Sequence, residues 1–320
     1  MTSFPGKSES DQATPAGSDA AWAITTQGLS KCFGQRPAVD GLSISIPTGS
    51  IAGFIGPNGA GKTTTLRLLL GLVRPNAGSA TILGHALTEP ERYLPRVGAL
   101  IEAPAFYPSL SGRTNLEVLA RLGGYPSSRV SELLEVVELS DRAHDRVGTY
   151  SLGMKQRLGV AMALLPDPEL LMLDEPANGL DPLGIIGIRD LLRRLAALGK
   201  TILLSSHLLG ELEQVADWLI MLNQGKALFC GPARDVLAQH VDVVVEAEDE
   251  VQLDLVERLV SEGGYAVTRE AHALRIDCPA SFAKTLNRQA REAGAPDLTI
   301  QVKEASLEHL FLALVKGDRS

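Results

Sequence analysis

The sequence has few aromatic residues, few cysteines and no long apolar segment. Of its 320 residues, 4% are aromatic and three are cysteines, Cys32, Cys230 and Cys278. The cysteines lie far apart without the spacing of a metal site, and an unpaired odd number is typical of a reducing compartment rather than of a disulfide framework. No apolar stretch approaches the roughly 20 residues that cross a bilayer. A membrane role would therefore have to act through a partner.

Basic charge is also scarce. The formal net charge is -8 and the pI is about 5.4, which argues against a broad nucleic-acid-binding surface because such a surface needs a basic patch. Residues 1–20 are polar and lack the apolar core of a signal peptide, so we predict a disordered tail there. The remaining chain is long enough for one large domain and a smaller one.

The most informative stretch is GPNGAGKTT at positions 56–64. An apolar run precedes it and leucines at helical spacing follow it, which predicts a strand, a glycine-rich loop and a helix. This is the GxxxxGK[ST] pattern of a P-loop, whose backbone N–H groups surround phosphates. We expect Lys62 to reach the β- and γ-phosphates and the Thr63 hydroxyl to hold Mg²⁺. The alternative is a tight glycine turn between core elements.

A second candidate site follows the run ELLMLDEP at positions 169–176. A run that is apolar on both faces predicts a buried parallel strand, and acids at its carboxyl end fall where α/β sheets bind ligands. We expect Asp174 to hold Mg²⁺ and Glu175 to polarise an attacking water; the alternative is two solvated acids before a turn. His207 follows the strand predicted for TILLSS at the same edge and is predicted to contact the γ-phosphate, although a lone histidine is more often structural.

Two aromatic segments allow two interpretations each. Phe33, in a turn-rich strand segment, could stack on an adenine ring or could belong to the core. Phe106 and Tyr107 lie between two prolines and are either anchors beneath a loop or an exposed contact patch. In the helical regions, Ser151 is a candidate N-cap and Asp181 is expected to cap a helix that starts at Pro182.

In their order, these motifs resemble the nucleotide-binding subunit of an ABC transporter over about residues 22–238. GPNGAGKTT resembles Walker A, LLMLDE resembles Walker B, NGLD resembles the D-loop with its Asp181, and His207 resembles the switch histidine. YSLGMKQRL resembles the signature helix. The resemblance implies an α/β P-loop fold with a mixed core sheet, an antiparallel β subdomain and a helical subdomain. It also implies ATP binding by Phe33, Asn58, Gly59, Gly61, Lys62, Thr63, Thr64, Ser151 and Gly153.

The same resemblance implies that two subunits pack head to tail, with each ATP between one P-loop and the other subunit's signature helix. Ser151 and Gly153 keep the serine and glycine that contact phosphate in the family. A helix N-terminus at this place is consistent with an anion site. Whether the pair is a homodimer or a heterodimer stays open.

Glu102 stands where the family usually has glutamine. A carboxylate would bind Mg²⁺ more strongly than an amide but would repel phosphate in the absence of the metal. By analogy Glu102 is a candidate metal ligand beside Thr63 and Asp174. Glutamate here resembles the bacitracin-resistance, lantibiotic-immunity and drug-exporter branch. That branch implies a separate polytopic membrane permease, and a location in the cytoplasm at the inner face of the membrane.

Residues 239–320 follow a βαββαβ pattern, which predicts a small ferredoxin-like α+β domain. An amphipathic segment over positions 306–316 resembles the ending of drug-exporter ATPases. No catalytic constellation occurs in this region. We expect it to contribute packing, dimer support or regulation.

The favoured function is an ATP-hydrolysing motor subunit of an exporter for a peptide antibiotic or another amphiphilic compound. One alternative is a soluble ABC-type ATPase that acts on ribosomes or DNA. Such proteins usually carry two cassettes or long coiled coils, whereas this sequence has one Walker A motif and no internal repeat. A nucleotide-binding regulator without turnover is a third possibility, which Glu175 and His207 argue against.

Overall fold

The computed structural model describes residues 22–102, 104–237, 241–247, 249–270, 273–278, 280–295 and 298–304, together with Leu307 and Phe311. The predicted tail and most of the last amphipathic segment lie outside the described residues. The strands are β1 Trp22–Phe33, β2 Arg36–Leu42, β3 Ser45–Pro47, β4 Ile51–Ile55, β5 Ala77–Ile82, β6 His85–Ala86, β7 Val97–Leu100, β8 Leu170–Asp174, β9 Thr201–Ser206, β10 Trp218–Asn223, β11 Lys226–Pro232, β12 Val241–Ala247, β13 Ala266–Glu270, β14 Ala273–Cys278 and β15 Leu298–Glu304. The helices are α1 Lys62–Leu69, α2 Pro90–Tyr93, α3 Gly112–Gly123, α4 Ser128–Val136, α5 Leu152–Ala163, α6 Pro182–Ala197, α7 Leu209–Glu213, α8 Ala233–Leu237, α9 Glu250–Glu262 and α10 Ala280–Glu292.

The core is a mixed sheet with the strand order β11-β10-β4-β9-β8-β7. The strands from β10 to β7 pair in parallel, and β11 adds an antiparallel edge. All residues of β4, β8 and β9 are buried, because the sheet is covered on both faces; this accounts for their continuous apolar runs. Asp174 pairs with Ser205 and Ile55 with Ser206, so the carboxyl ends of these strands meet at one edge.

Alternate residues of the core strands pack into two hydrophobic clusters. Phe54, Met172 and Leu203 face a cluster that includes α1 and an antiparallel sheet of β2, β1, β5 and β6, with β3 paired to β1. The opposite face packs against residues of α3, α4, α5 and α6. The predicted mixed core sheet, antiparallel β subdomain and helical subdomain are thus confirmed.

The C-terminal region forms its own antiparallel sheet in the order β13-β14-β12-β15. With α9 and α10 it encloses a separate hydrophobic cluster, and the predicted βαββαβ order is confirmed. Leu307 is fully buried and Phe311 is partly buried, and both pack into the cluster on the helical side of the large domain. Among the described residues, no helix is both long enough and apolar enough to span a bilayer.

Candidate functional site

The P-loop connects β4 to α1 and forms one wall of a cavity. Gly61 has a φ of +105°, and a Cβ there would lie 2.4 Å from the carbonyl oxygen of Ala38, so only glycine fits. Lys62 is 6% exposed, and its Nζ donates to the carbonyl of Gly56 at 2.6 Å. The cavity has a volume of about 360 Å³. It is lined by Phe33, Arg36, Pro37, Ala38, Pro57, Asn58, Gly59, Ala60, Gly61, Lys62, Thr63, Thr64 and Glu175.

The carboxylate of Asp174, at the end of β8, accepts hydrogen bonds from two hydroxyl groups. Thr63, in the first turn of α1, donates its Oγ1–H to Asp174 Oδ2 at 2.7 Å. Ser205, on the adjacent strand β9, donates to Asp174 Oδ1 at 2.5 Å. The buried carboxylate is therefore held against the P-loop from one side and against the sheet from the other.

Glu175 connects the P-loop lysine to the predicted switch histidine. Its Oε1 lies 3.4 Å from Lys62 Nζ, and its Oε2 accepts a hydrogen bond from Nδ1–H of His207. Its φ of +49° lies in the left-handed region, and its N–H donates to the hydroxyl and the carbonyl of Ser205 at 2.9 and 3.2 Å. Sequence-predicted residues from three separate segments thus meet at Glu175, which lines the cavity.

The contact between Thr63 and Asp174 bears on whether these residues suit Mg²⁺. Mg²⁺ commonly takes one or two protein oxygens and completes its shell with phosphates and waters. A hydroxyl and a carboxylate oxygen 2.7 Å apart beside the P-loop fit that requirement. The described residues contain no group of three or more histidine, cysteine or acidic side chains that could hold a metal alone. The donor set therefore suits a metal shared with phosphate.

Glu102 contacts a different partner. It has a φ of +64°, its side chain is 65% exposed, and its carboxylate forms an ion pair with Arg67 on α1. Arg67 follows Thr63 by four residues and so lies one turn further along the same helix face. The structure brings Glu102 to Arg67 rather than to Thr63 or Asp174, and its role as a metal ligand stays a prediction.

Phe33 lies at the mouth of the cavity. Its side chain is 54% exposed, so the interpretation as a core residue is wrong. Lys31 Nζ lies 5.3 Å from the centre of the ring. Stacking of adenine on Phe33 stays a prediction.

Ser151, Gly153 and Asp181 form a second group at the starts of α5 and α6. Ser151 Oγ accepts the N–H of Met154 at 3.3 Å, and Asp181 Oδ1 accepts the N–H of Gly184 at 3.0 Å, which confirms both predicted caps. Neither cap nor Gly153 is among the described residues that line the cavity. The structure does not bring this group together with the P-loop of the same chain, and its phosphate contacts stay a prediction.

The loop that carries Phe106 and Tyr107, here called the aromatic loop, combines the two alternatives that the sequence left open, an anchor and an exposed contact. Phe106 is half-buried and packs against the helical-side cluster, whereas Tyr107 is 61% exposed. The buried Asn115 holds the loop, because its side chain accepts the N–H of Tyr107 at 2.8 Å and donates to the Tyr107 carbonyl at 3.1 Å. One ring therefore anchors the loop while the other faces outward.

Three residues in and around the site were not predicted from the sequence: Ser205, Arg67 and Asn115. Ser205 contacts both acids, Arg67 holds Glu102, and Asn115 clamps the aromatic loop. Aligning the ends of the predicted parallel strands would have pointed to Ser205, because it pairs with Asp174 in the sheet. No comparable signal marks Arg67 or Asn115.

Comparisons with known proteins agree with this geometry. A family profile described as ABC transporter matches residues 39–178. The bacitracin transport ATP-binding protein BcrA of Bacillus licheniformis is 39% identical over 304 residues, which cover 92% of this chain and 97% of the relative. The chain belongs to the ABC transporter ATP-binding proteins. It is accordingly a nucleotide-binding ATPase subunit.

Two further similarities concern the large domain. The lantibiotic transport ATP-binding protein SrtF of Streptococcus pyogenes is 40% identical over 205 residues, which cover 64% of this chain and 89% of the relative. A solved structure described as the ATP-binding subunit of an ABC transporter is 30% identical with a TM-score of 0.60, covering 67% of this chain and 91% of that one. As an ABC transporter subunit, the chain works with a membrane permease.

Proposed function

We propose that this subunit uses ATP hydrolysis to drive export of a peptide antibiotic or another amphiphilic drug through a separate, polytopic permease. The observation that carries the hydrolytic part is the contact of one carboxylate, Glu175, with both Lys62 and His207 at the cavity. The export part is supported by the similarity to BcrA, which extends over nearly the whole length of both chains. The names of BcrA and SrtF support a peptide antibiotic as the substrate.

Each residue at the edge of the core sheet has a distinct proposed role. Lys62 binds the β- and γ-phosphates, Glu175 polarises the attacking water, and His207 contacts the γ-phosphate. Thr63 and Asp174 would hold Mg²⁺, which when bound neutralises phosphate charge and orients the terminal phosphate. Glu102 would join them as a ligand after leaving Arg67. Phe33 would stack on the adenine at the open end of the cavity.

We further propose that hydrolysis requires two ATPase subunits, either two copies of this chain or a heterodimer. Ser151 and Gly153 start an exposed helix N-terminus, which is suited to an anion. Because they do not line the cavity of their own chain in the described structure, a second subunit's nucleotide is the fitting ligand. Asp181 would contribute from the neighbouring helix start.

The proposed organisation is a tail over residues 1–20, an ATPase domain over 21–238 and an accessory domain over 239–320. The match to SrtF supports the second boundary, because 205 residues account for 89% of that relative. We propose that the subunit lies in the cytoplasm on the inner face of the membrane, attached through the permease. The net charge of -8 supports a function without nucleic acid.

Affinity purification of the tagged full chain from gently solubilised native membranes tests the export proposal. We expect a polytopic membrane protein to co-purify in stoichiometric amount, identified by mass spectrometry. Recovery from the soluble fraction alone, with ribosomal or DNA-bound proteins, would overturn the export proposal and leave ATP hydrolysis standing.

A further inference from the structure

Glu138 follows α4 and has a backbone conformation that is unusual for glutamate. Its φ is +59°, in the left-handed region that non-glycine residues rarely occupy. Here it ends α4, because the N–H groups of Glu138 and Leu139 donate to the carbonyls of Glu135 and Leu134 at 3.0 and 2.8 Å, a helix C-terminal motif in which glycine is the usual left-handed residue. Glycine would meet this backbone requirement, so the contacts of the side chain are what the glutamate adds.

The Glu138 carboxylate joins two helices. Its Oε2 lies 2.5 Å from Arg157 Nη1 on α5, and its Oε1 lies 2.8 Å from Arg194 Nη2 on α6. Arg157 also donates to the Val137 carbonyl at 3.2 Å. The hydrogen bond from Arg157 is the largest cause of a lowered pKa for Glu138. The carboxylate is therefore ionised at neutral pH, and both ion pairs form there.

Arg157 lies against α6 at a position where α6 has a glycine. A Cβ at Gly187 would lie 2.3 Å from Arg157 Nη2. A side chain at this position would displace the guanidinium that Glu138 binds. The space left by the missing side chain of Gly187 accommodates the guanidinium of Arg157, and the carboxylate of Glu138 binds it.

The start of α5 also contacts the residues that lead into α6. A methyl group of Leu152 lies 3.2 Å from the position of a Cβ on Gly179, and a methyl group of Leu180 lies 3.9 Å from the position of a Cβ on Gly153. α5 therefore contacts the residues just before α6 with its first turn, and contacts α6 itself through Arg157 at Gly187.

We propose that Glu138 is a positioning residue that fixes α5 against α6. The signature residues Ser151 and Gly153 and the D-loop residue Asp181 would then be presented to the second subunit's nucleotide as one rigid unit. This inference rests on the proposed dimer. Glu138 is not among the described residues that line the cavity of its own chain, so nucleotide binding by a single subunit does not require it.

The test measures ATP-dependent dimerisation of the full chain in a Glu175→Gln background, by size-exclusion chromatography with light scattering over a range of subunit concentrations. Glu138→Gly removes the carboxylate and relieves the left-handed backbone, whereas Glu138→Gln removes the charge at nearly constant size. We expect each to weaken ATP-dependent dimerisation by about tenfold. The affinity of the single subunit for a fluorescent ATP analogue should stay within about twofold, and the thermal midpoint of Glu138→Gly should be unchanged or raised.

Glu132→Gln is the matched control, because Glu132 lies on α4 and pairs with Arg129 of its own helix; we expect its dimerisation to be unchanged. If Glu175→Gln alone forms no ATP-dependent dimer, pairing of two copies of this chain is wrong, and so is a role for Glu138 in that pairing. If that parent dimerises and both Glu138 variants dimerise equally well, the positioning role is wrong.

Discussion

Ser205 links the two acids at the edge of the core sheet. Its hydroxyl donates to Asp174 and accepts the N–H of Glu175, and its side chain is completely buried. A hydroxyl in this position can hold the proposed metal-binding acid and the proposed water-polarising acid in fixed relation. The left-handed backbone of Glu175 makes this support more important, because such a conformation depends on its surroundings.

Ser205→Ala should lower the turnover number by about tenfold, because loss of a buried hydrogen-bond partner costs about 1–3 kcal/mol. ATP affinity should change little, since Lys62 and the P-loop remain. Steady-state hydrolysis and fluorescent-nucleotide titration measure the two quantities. Thr201→Ala is the control, because it removes a buried hydroxyl at the opposite end of β9 that accepts the N–H of Gly49. Equal losses of turnover in both variants would contradict the specific role of Ser205.

The sequence could predict Lys62, Thr63, Asp174 and Glu175 because these residues follow strands within recognisable local patterns. It could not predict partners that the fold brings together from distant segments. Ser205 lies 31 residues from Asp174, and Arg67 lies 35 residues from Glu102. Neither contact follows from a helical or strand period. The pairing of Glu102 with Arg67 is for that reason the main surprise of the site.

At the scale of single elements, the two adjacent rings of the aromatic loop have different surroundings and therefore different expected roles. Phe106→Ala should lower stability by about 1–3 kcal/mol because its half-buried ring packs on the helical cluster. Tyr107→Ala should leave stability and basal ATP hydrolysis unchanged but abolish drug export, since its exposed ring is available to the permease. Chemical denaturation and drug-resistance assays in cells distinguish the two. Unimpaired resistance with Tyr107→Ala would restrict the loop to a structural role.

Asp167 connects the helical subdomain to the core sheet. Its Oδ1 lies 2.9 Å from Arg129 Nη2 on α4 and 2.8 Å from Lys200 Nζ before β9. The hydrogen bond from Lys200 is the largest cause of its lowered pKa, and Arg129 adds to it. With a folded-state pKa below the ordinary value of about 3.9, the stabilisation is complete above that value and is lost as the pH falls through the folded pKa.

Asp167→Asn should therefore destabilise the protein at pH 7, and the difference should shrink as the pH falls below the ordinary carboxyl value of about 3.9. Because the Asp167 side chain is 68% exposed, we expect at most about 1 kcal/mol at neutral pH. Urea denaturation of both proteins at several pH values measures the difference. A difference that stays constant down to pH 3 would contradict the electrostatic origin.

At the scale of the whole molecule, the buried Leu307 attaches the segment after β15 to the large domain. Leu307→Ala should destabilise the protein by about 2–5 kcal/mol, because it empties a site in the helical-side cluster. Leu122→Ala is the control, since Leu122 is 80% exposed, and it should stay within about 0.5 kcal/mol. A neutral Leu307→Ala variant would show that the accessory domain is not anchored in this way.

The overall architecture was largely predictable, because runs such as those of β4, β8 and β9 are apolar on both faces and belong to parallel strands. The βαββαβ order of the C-terminal region was also evident from its alternating patterns. The packing of Leu307 against the large domain could not be predicted, since it depends on how two separately folded parts meet. An amphipathic pattern indicates that a segment has a partner surface but does not say which one.

The central claim is that Glu175 carries ATP hydrolysis at the P-loop edge. Measuring turnover and the identity of the bound nucleotide for the wild-type and Glu175→Gln proteins tests it most directly. We expect Glu175→Gln to bind ATP with unchanged affinity, to retain it as ATP, and to lose turnover by about 100-fold or more. Near-normal hydrolysis with release of ADP by this variant would contradict the account.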